Sequence, residues 1–303
     1  MRRRFRPFRV ALAFGLLAAG SLVPPALPAH AASVLPTFGY ELVGSDGGVF
    51  AFSPGTFAGS LGDRRIPGKI VAALDRSVNA TGKYSPGYLL ISDQGVVYPF
   101  GKHAFGDLRD VQLNAPIVAA VAVSDGYLLV GADGGVFTFG RASFAGSLGG
   151  RTLPAPIVGI AMTREEKGYW LVDGAGRVYP FGDARNYGDL SGVTLDVPVV
   201  GIAENDAAHL PAADDGYLLA TASGAVIPFG AALIRGDVSN VNLSAPVAGI
   251  VDVGQGYYLF AQDGGVFAFG PQFRGSMGGR HLNGPIVAMA IRPFSPPCKV
   301  PYC

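Results

Sequence analysis

Three arginines stand at matched points of three similar stretches. Arg64 follows Gly59-Ser60-Leu61-Gly62-Asp63, Arg151 follows Gly146-Ser147-Leu148-Gly149-Gly150, and Arg280 follows Gly275-Ser276-Met277-Gly278-Gly279. Three sister stretches carry Val111, Val193 and Val241 at that point instead. A guanidinium is a rigid fork of donors that suits carboxylates and phosphates. The trio therefore predicts a face for an anionic wall polymer or a protein tail, against the plainer reading of exposed arginines that aid solubility. A second set, Asp206 and His209 with Asp214 and Asp215, gathers in one long loop. It reads as a weak cation site or as solvated surface acids.

The residues for catalysis are sparser. No Gly-x-Ser-x-Gly nucleophile elbow occurs. Past residue 31 the histidines are His103, His209 and His281, at unrelated points of their repeats. Asp107, Asp189 and Asp237 would be the acids of a glycosidase working with carboxylates alone. Each follows a glycine where sister copies carry Ser60, Ser147 and Ser276, which predicts turn capping instead. There is no phosphate loop, His-x-x-x-His pair or Asp-x-Asp-x-Asp-Gly loop. No catalytic residue, cofactor or metal ligand is assigned.

The elements that must position these residues repeat. Gly-Tyr followed by apolar residues occurs at Tyr40, Tyr88, Tyr127, Tyr169, Tyr217 and Tyr257, at intervals of 48, 39, 42, 48 and 40 residues. Each copy holds short runs of β-branched and aromatic residues bounded by Gly, Pro, Asp or Asn, which is strand punctuation. A period near 40 with strand content points to a β-propeller. Asp-Gly turns, as at Asp46-Gly47, Asp133-Gly134 and Asp263-Gly264, predict hairpins. A Phe then recurs at 52, 100, 139, 181, 229 and 269, and predicts a core layer between neighbouring blades. The closing aliphatic strand keeps a small residue at its third position (Ala72, Ala119, Gly159, Gly201, Gly249, Ala288), as expected of strands crowding an axis. If that strand opens each blade, the first blade lacks one and residues 286–291 are left over. The expected fold is all-β: a six-bladed propeller with four strands per blade, closed by the C-terminal strand joining the N-terminal blade.

The ends bound the rest. Arg2, Arg3, Arg4, Arg6 and Arg9, an apolar run from Val10 to Val23, and Ala29-His30-Ala31 form a secretory signal peptide over 1–31. Residues 32–294 are the expected propeller and 295–303 a tail. Removing the leader leaves 18 basic against 22 acidic residues. A mildly acidic surface argues against nucleic acid, and no later stretch predicts a membrane span. The two cysteines, Cys298 and Cys303, predict a local disulfide pinning the tail, with free thiols or intermolecular pairing as alternatives.

The unit seen in Gly168-Tyr169-Trp170-Leu171-Val172, in Asp263–Gly270 and over Gly126–Ala161 resembles a repeat of exported actinobacterial proteins. The resemblance covers nearly all of residues 39–291. It implies a secreted propeller, of a kind found beside cell-wall hydrolase or adhesion-like modules. The expected function is a monomeric, non-catalytic, extracellular binding or scaffold module, secreted or associated with the cell wall, with a cell-wall glycan or an extracellular protein as partner. The alternative is a secreted hydrolase or lyase acting on carbohydrates or esters.

Overall fold

The computed structural model describes residues 37–52, 57–75, 87–205 and 216–294. Every regular element among them is a β-strand. The chain begins with β1 (Thr37–Gly44) and β2 (Val49–Ala51). Five triplets follow. They are β3 (Ile70–Leu74), β4 (Tyr88–Ser92) and β5 (Val97–Phe100); β6 (Ile117–Val123), β7 (Gly126–Gly131) and β8 (Val136–Gly140); β9 (Ile157–Met162), β10 (Tyr169–Asp173) and β11 (Val178–Phe181). Next come β12 (Val199–Glu204), β13 (Gly216–Thr221) and β14 (Val226–Gly230), then β15 (Val247–Asp252), β16 (Tyr257–Ala261) and β17 (Val266–Phe269). The last strand, β18 (Ile286–Phe294), lies antiparallel to β1, from Thr37 opposite Phe294 to Gly44 opposite Ile286. Each triplet is one antiparallel sheet, and β18-β1-β2 is another, so six sheets are described. We number them from sheet 1 (β18-β1-β2) to sheet 6 (β15-β16-β17).

The first strands of successive sheets pack on one another in the order β3, β6, β9, β12, β15, β18, and β18 also packs on β3. The small third residues sit where this packing is tightest. A Cβ on Gly159 would lie 3.3 Å from Ile202 in the next sheet. Just before that residue each first strand skips register, leaving Val71, Val118, Val158, Val200, Ala248 and Val287 bulged. A bulge bends a strand and raises its twist, which suits strands splaying from a common axis. A separate apolar cluster fills each gap between neighbouring sheets, including one that sets Tyr40 and Leu42 of sheet 1 against Tyr258 and Phe260 of sheet 6.

The expected four strands per blade are corrected to three. After the third strand an aromatic-glycine pair turns the chain with the glycine left-handed, as at Gly140 (φ 70°) and Gly182 (φ 66°). The chain then passes beneath the start of the second strand: a Cβ on Gly126 would meet the amides of Arg141 and Ala142 at 3.1 Å. The returning segment therefore enters the gap between sheets and forms no fourth ladder. At its far end one amide pins it to the hairpin turn. Leu148 donates to the Gly134 carbonyl at 2.9 Å, and Leu61 to Gly47 at 2.8 Å.

In mid-course each returning segment meets the repeat tyrosine of the next sheet. The Tyr257 hydroxyl donates to the Gly236 carbonyl at 2.5 Å and accepts from the Arg235 amide at 3.1 Å. Tyr88, Tyr127, Tyr169 and Tyr217 donate in the same way to Gly59, Gly106, Gly146 and Gly188. Tyr40 of the first sheet donates to Gly275 of the last repeat at 2.6 Å. Beneath each tyrosine lies the predicted Phe of its own sheet, with ring centroids 5.4 Å apart for Tyr40–Phe52 and 5.3 Å for Tyr127–Phe139. The contacted glycine rests on that Phe. A Cβ on Gly59 (φ 131°) would stand 2.6 Å from the Phe100 ring, so no larger residue fits.

Burial pushes the pKa of these tyrosines up, to about 12 for Tyr217, and likewise to about 12 for Tyr258, which packs on Tyr40. An unfolded tyrosine titrates near 10, so the folded state holds these protons more tightly. Their contribution to stability is complete below pH 10 and is lost as pH rises toward 12. Urea midpoints measured from pH 8 to 12 should be flat to about pH 10 and then fall, with the share of tyrosinate absorbance due to the buried repeat tyrosines rising only as the chain unfolds. Full tyrosinate absorbance near pH 10 in a chain that keeps its strand signal would contradict this.

Candidate functional site

The arginines of the sequence reading lie on three separate connections. Arg64, Arg151 and Arg280 are exposed, and their amides donate to the carbonyls of Leu61, Leu148 and Met277 at 2.8, 2.9 and 2.9 Å. Each connection folds beside the Asp-Gly turn of its own sheet: a Cβ on Gly62 would meet Gly48 at 3.1 Å and a carboxylate oxygen of Asp46 at 3.9 Å. That end of the sheets carries turn carboxylates as well as arginines, so it is mixed in charge and not a basic face. The turn aspartates do what the hairpin reading expected. Asp46, Asp133 and Asp263 accept from the amide two residues on at 3.0, 3.0 and 2.9 Å.

The acids weighed for a glycosidase also cap turns. Asp189 accepts from the Ser191 amide at 2.8 Å and the Val178 amide at 3.3 Å, while Asp237 accepts from the Ser239 amide at 3.1 Å. Asp107 takes the Arg109 Nε at 2.9 Å and the Arg109 amide at 3.2 Å, and the Arg109 bonds hold its carboxyl below the usual carboxylate range. Burial pushes Asp189 up, but the Ser191 bonds and the Val178 amide outweigh it, so its carboxyl is also lowered. A lowered carboxyl favours the ionised form at Asp107 and Asp189, which is the wrong state for a general acid.

Asp206, His209, Cys298, Cys303 and the leader over 1–31 lie outside the described residues. The residues from which the long loop departs, Glu204 and Asn205, are described. They stand at the end of β12 remote from the connections, and thus from the arginines. The described stem residues Glu204 and Asn205 are thus separated from the connections by the length of a first strand, roughly 17 Å for six residues.

The end of the sheets where β12 finishes holds a cavity of about 600 Å³. All six first strands line it, with Ala73, Ala120, Ile160, Ile202, Ile250 and Met289 among its apolar walls. Its rim is polar, with Asp75, Thr163, Arg164, Glu166, Glu204 and Asp252. Hydrogen bonds fix several of these side chains. Between sheets, Asn205 Nδ2 donates to Asp252 at 2.7 Å and the Ser124 amide to Glu166 at 2.9 Å; within one sheet, Thr163 Oγ1 donates to Asp183 at 2.8 Å.

The strongest rim contact is ionic and was not anticipated. Arg292 on β18, 1% exposed, donates from Nε to Asp75 at 2.8 Å, and its Nη2 lies 3.7 Å from Glu41 on β1. Lys102 reaches the other oxygen of Asp75 at 2.9 Å. The signal was present in the sequence. Glu41 occupies the position held by Leu89, Leu128, Trp170, Leu218 and Tyr258 in the other copies, so a carboxylate is buried where the repeat demands an apolar residue.

No described protein family matches the sequence, and no curated protein aligns with it. Several solved structures are similar to the chain. A chain of a nidogen/laminin complex superposes with a TM-score of 0.51 at 9% identity, over 84% of this chain and 98% of that one. A chain of the BBS1N–ARL6DN complex gives 0.46 at 10% identity, over 74% and 71%. The computationally designed Ika8 protein gives 0.40 at 10% identity, over 80% and 72%. The nidogen match and the six repeated antiparallel sheets establish a repeat β-propeller architecture.

Breaking a buried ion pair by removing one partner costs about 3–5 kcal/mol, whereas replacing the whole set with packed apolar groups is often neutral. Arg292→Leu should therefore lower stability by about that amount. The joint variant Glu41→Leu, Asp75→Ala, Arg292→Val, which installs residues found in sister copies, should recover most of it in urea denaturation. Equal losses in both would show that the charges themselves are indispensable.

Proposed function

We propose that the chain is an exported, ring-closed six-sheet propeller that binds an extracellular protein or a cell-wall polymer at its cavity mouth and does no chemistry there. Ring closure is supported by the β18–β1 ladder, by the packing of β18 on β3, and by the bond from Tyr40 to Gly275. Export is supported by the leader-like residues 1–31, and a wall setting by the resemblance to exported actinobacterial repeats. Such a protein would be a monomer, since the cyclic arrangement satisfies the chain's own first and last strands.

The cavity carries the functional reading. Ligand sites are typically concave and apolar with a few convergent polar groups, and the mouth lined by all six sheets has that make-up. A protein partner is in keeping with the nidogen chain, which was solved in a complex with laminin. The acids that a hydrolase would recruit are engaged as turn caps, which favours binding over catalysis.

The test is retention of the purified mature protein on isolated cell walls, a glycan panel and an extracellular protein fraction. Ala122→Trp, which places a large ring at the cavity rim, should weaken retention at least tenfold. The triple variant Arg64→Ala, Arg151→Ala, Arg280→Ala should leave it unchanged. The reverse pattern would move the site to the opposite end of the sheets.

A further inference from the structure

Because the returning segments leave across the start of the second strand, the third strand of each sheet is its outer edge. The hydrogen-bond phase of these edges follows from their neighbours. The Arg141 amide donates to Asp125 at 2.8 Å, so by alternation Phe139 and Phe137 turn their amides inward, and Thr138 and Val136 turn theirs outward. The Ala261 amide donates to Gly265 at 2.8 Å, which fixes Phe267 inward and Ala268 and Val266 outward in β17.

Three sheets blunt this edge. In β5, β11 and β14 the residue matching Thr138 is Pro99, Pro180 or Pro228, so the outward donor does not exist. In two of them the other outward amide is also occupied, Val97 by Asp107 at 3.5 Å and Val178 by Asp189 at 3.3 Å. Proline on an edge strand is a recognised guard against pairing with another chain.

The other three sheets carry Ala51, Thr138 and Ala268 at the proline position, and Ser60, Ser147 and Ser276 at the aspartate position. Among the described residues the outward amides of Val136, Thr138, Val266 and Ala268 have no acceptor. No charged side chain lies on β8 or β17 to repel a visitor. The returning segment beside each presents a large apolar ring to solvent: Phe144 is 60% exposed and Phe273 53%. The same chain, in one repeated geometry, thus guards three edges and leaves three open.

We infer that β8 and β17 are docking edges for an extended segment of another polypeptide, added as a further antiparallel or parallel strand. The edge chemistry selects this occupant, since a row of alternate outward N–H and C=O groups is matched by another backbone and not by a sugar ring. Length selects an unfolded segment over a second folded sheet. The chain turns away at Gly140, and at the other end Leu148 is tied to Gly134, which leaves roughly five free residues, about 17 Å. Main-chain bonds give such a complex its affinity, and a pocket for alternate side chains gives its selectivity. Here that selectivity comes from Phe144 and Phe273, which favour an apolar residue on the visiting segment. This inference is independent of the cavity-mouth reading.

The test is selection of displayed random nonapeptides on the intact purified protein, with each winner re-measured on variants. Thr138→Pro with Ala268→Pro copies the guarded sheets. Thr138→Lys with Ala268→Lys blunts the edge by charge and serves if the proline pair impairs folding. The expected result is enrichment of uncharged, apolar-alternating peptides whose affinity falls at least tenfold in either pair, with the Thr138 amide becoming protected from hydrogen exchange on binding. Winners that bind the variants equally, or no enrichment at all, would overturn the inference. So would peptide-free self-association abolished by the same substitutions, because the occupant would then be a second copy of this chain.

Discussion

One contact recurs at every sheet boundary: a buried tyrosine hydroxyl held by the carbonyl of a glycine that lies flat on a phenylalanine. Each partner constrains the others. The hydroxyl cannot be buried without an acceptor, because an unsatisfied group there costs roughly 1–3 kcal/mol. The carbonyl is available only if the returning segment threads between the sheets, and it can do so only where a glycine spares the Phe100 or Phe181 ring a clash. The contact always joins one copy to the next, and at Tyr40 and Gly275 it joins the last copy to the first. Removing it at one boundary would loosen two sheets at once.

The same contact explains why each sheet stops at three strands. A segment committed to a neighbour's tyrosine is not free to lie along its own third strand. The edge so created must then be managed, and the chain does this unevenly, with proline and aspartate in some copies and neither in others. The junction of β18 with β1 brings a different problem. The first strands all share one aliphatic pattern, so apolar packing alone does not distinguish β18 from its sisters. Arg292, Glu41 and Asp75 supply a mark that, among the described residues, this junction alone carries. Buried charges often add little net stability but specify one arrangement, and a repeat chain has more wrong arrangements to exclude than most.

Much of this was legible beforehand. The strand runs, the capping role of Asp189 and Asp237, the crowding at Gly159 and the pairing of residues 286–291 with the N-terminal strand all follow from local pattern and repetition. What was missed is non-local. Tyr127 and Gly106 are both visible as repeats, but nothing in their spacing says that they meet across a sheet boundary. The fourth strand was expected with the propeller architecture, and nothing local in the Phe139-Gly140 pair says that the chain turns away from its own sheet there. The arginines Arg64, Arg151 and Arg280 lie, as their equivalent positions in the repeat imply, on three matching connections, each tied by its amide to the residue three before it.

The central claim is that the first and last repeats are joined in register within one molecule. It is tested most directly by a cysteine pair at Leu42 and Met289, which face each other across β1 and β18, in a chain whose Cys298 and Cys303 are replaced by serine. Mild oxidation of dilute protein should give a complete intramolecular bond with the chain still folded. Persistent free thiols, or disulfides found only between molecules, would contradict it.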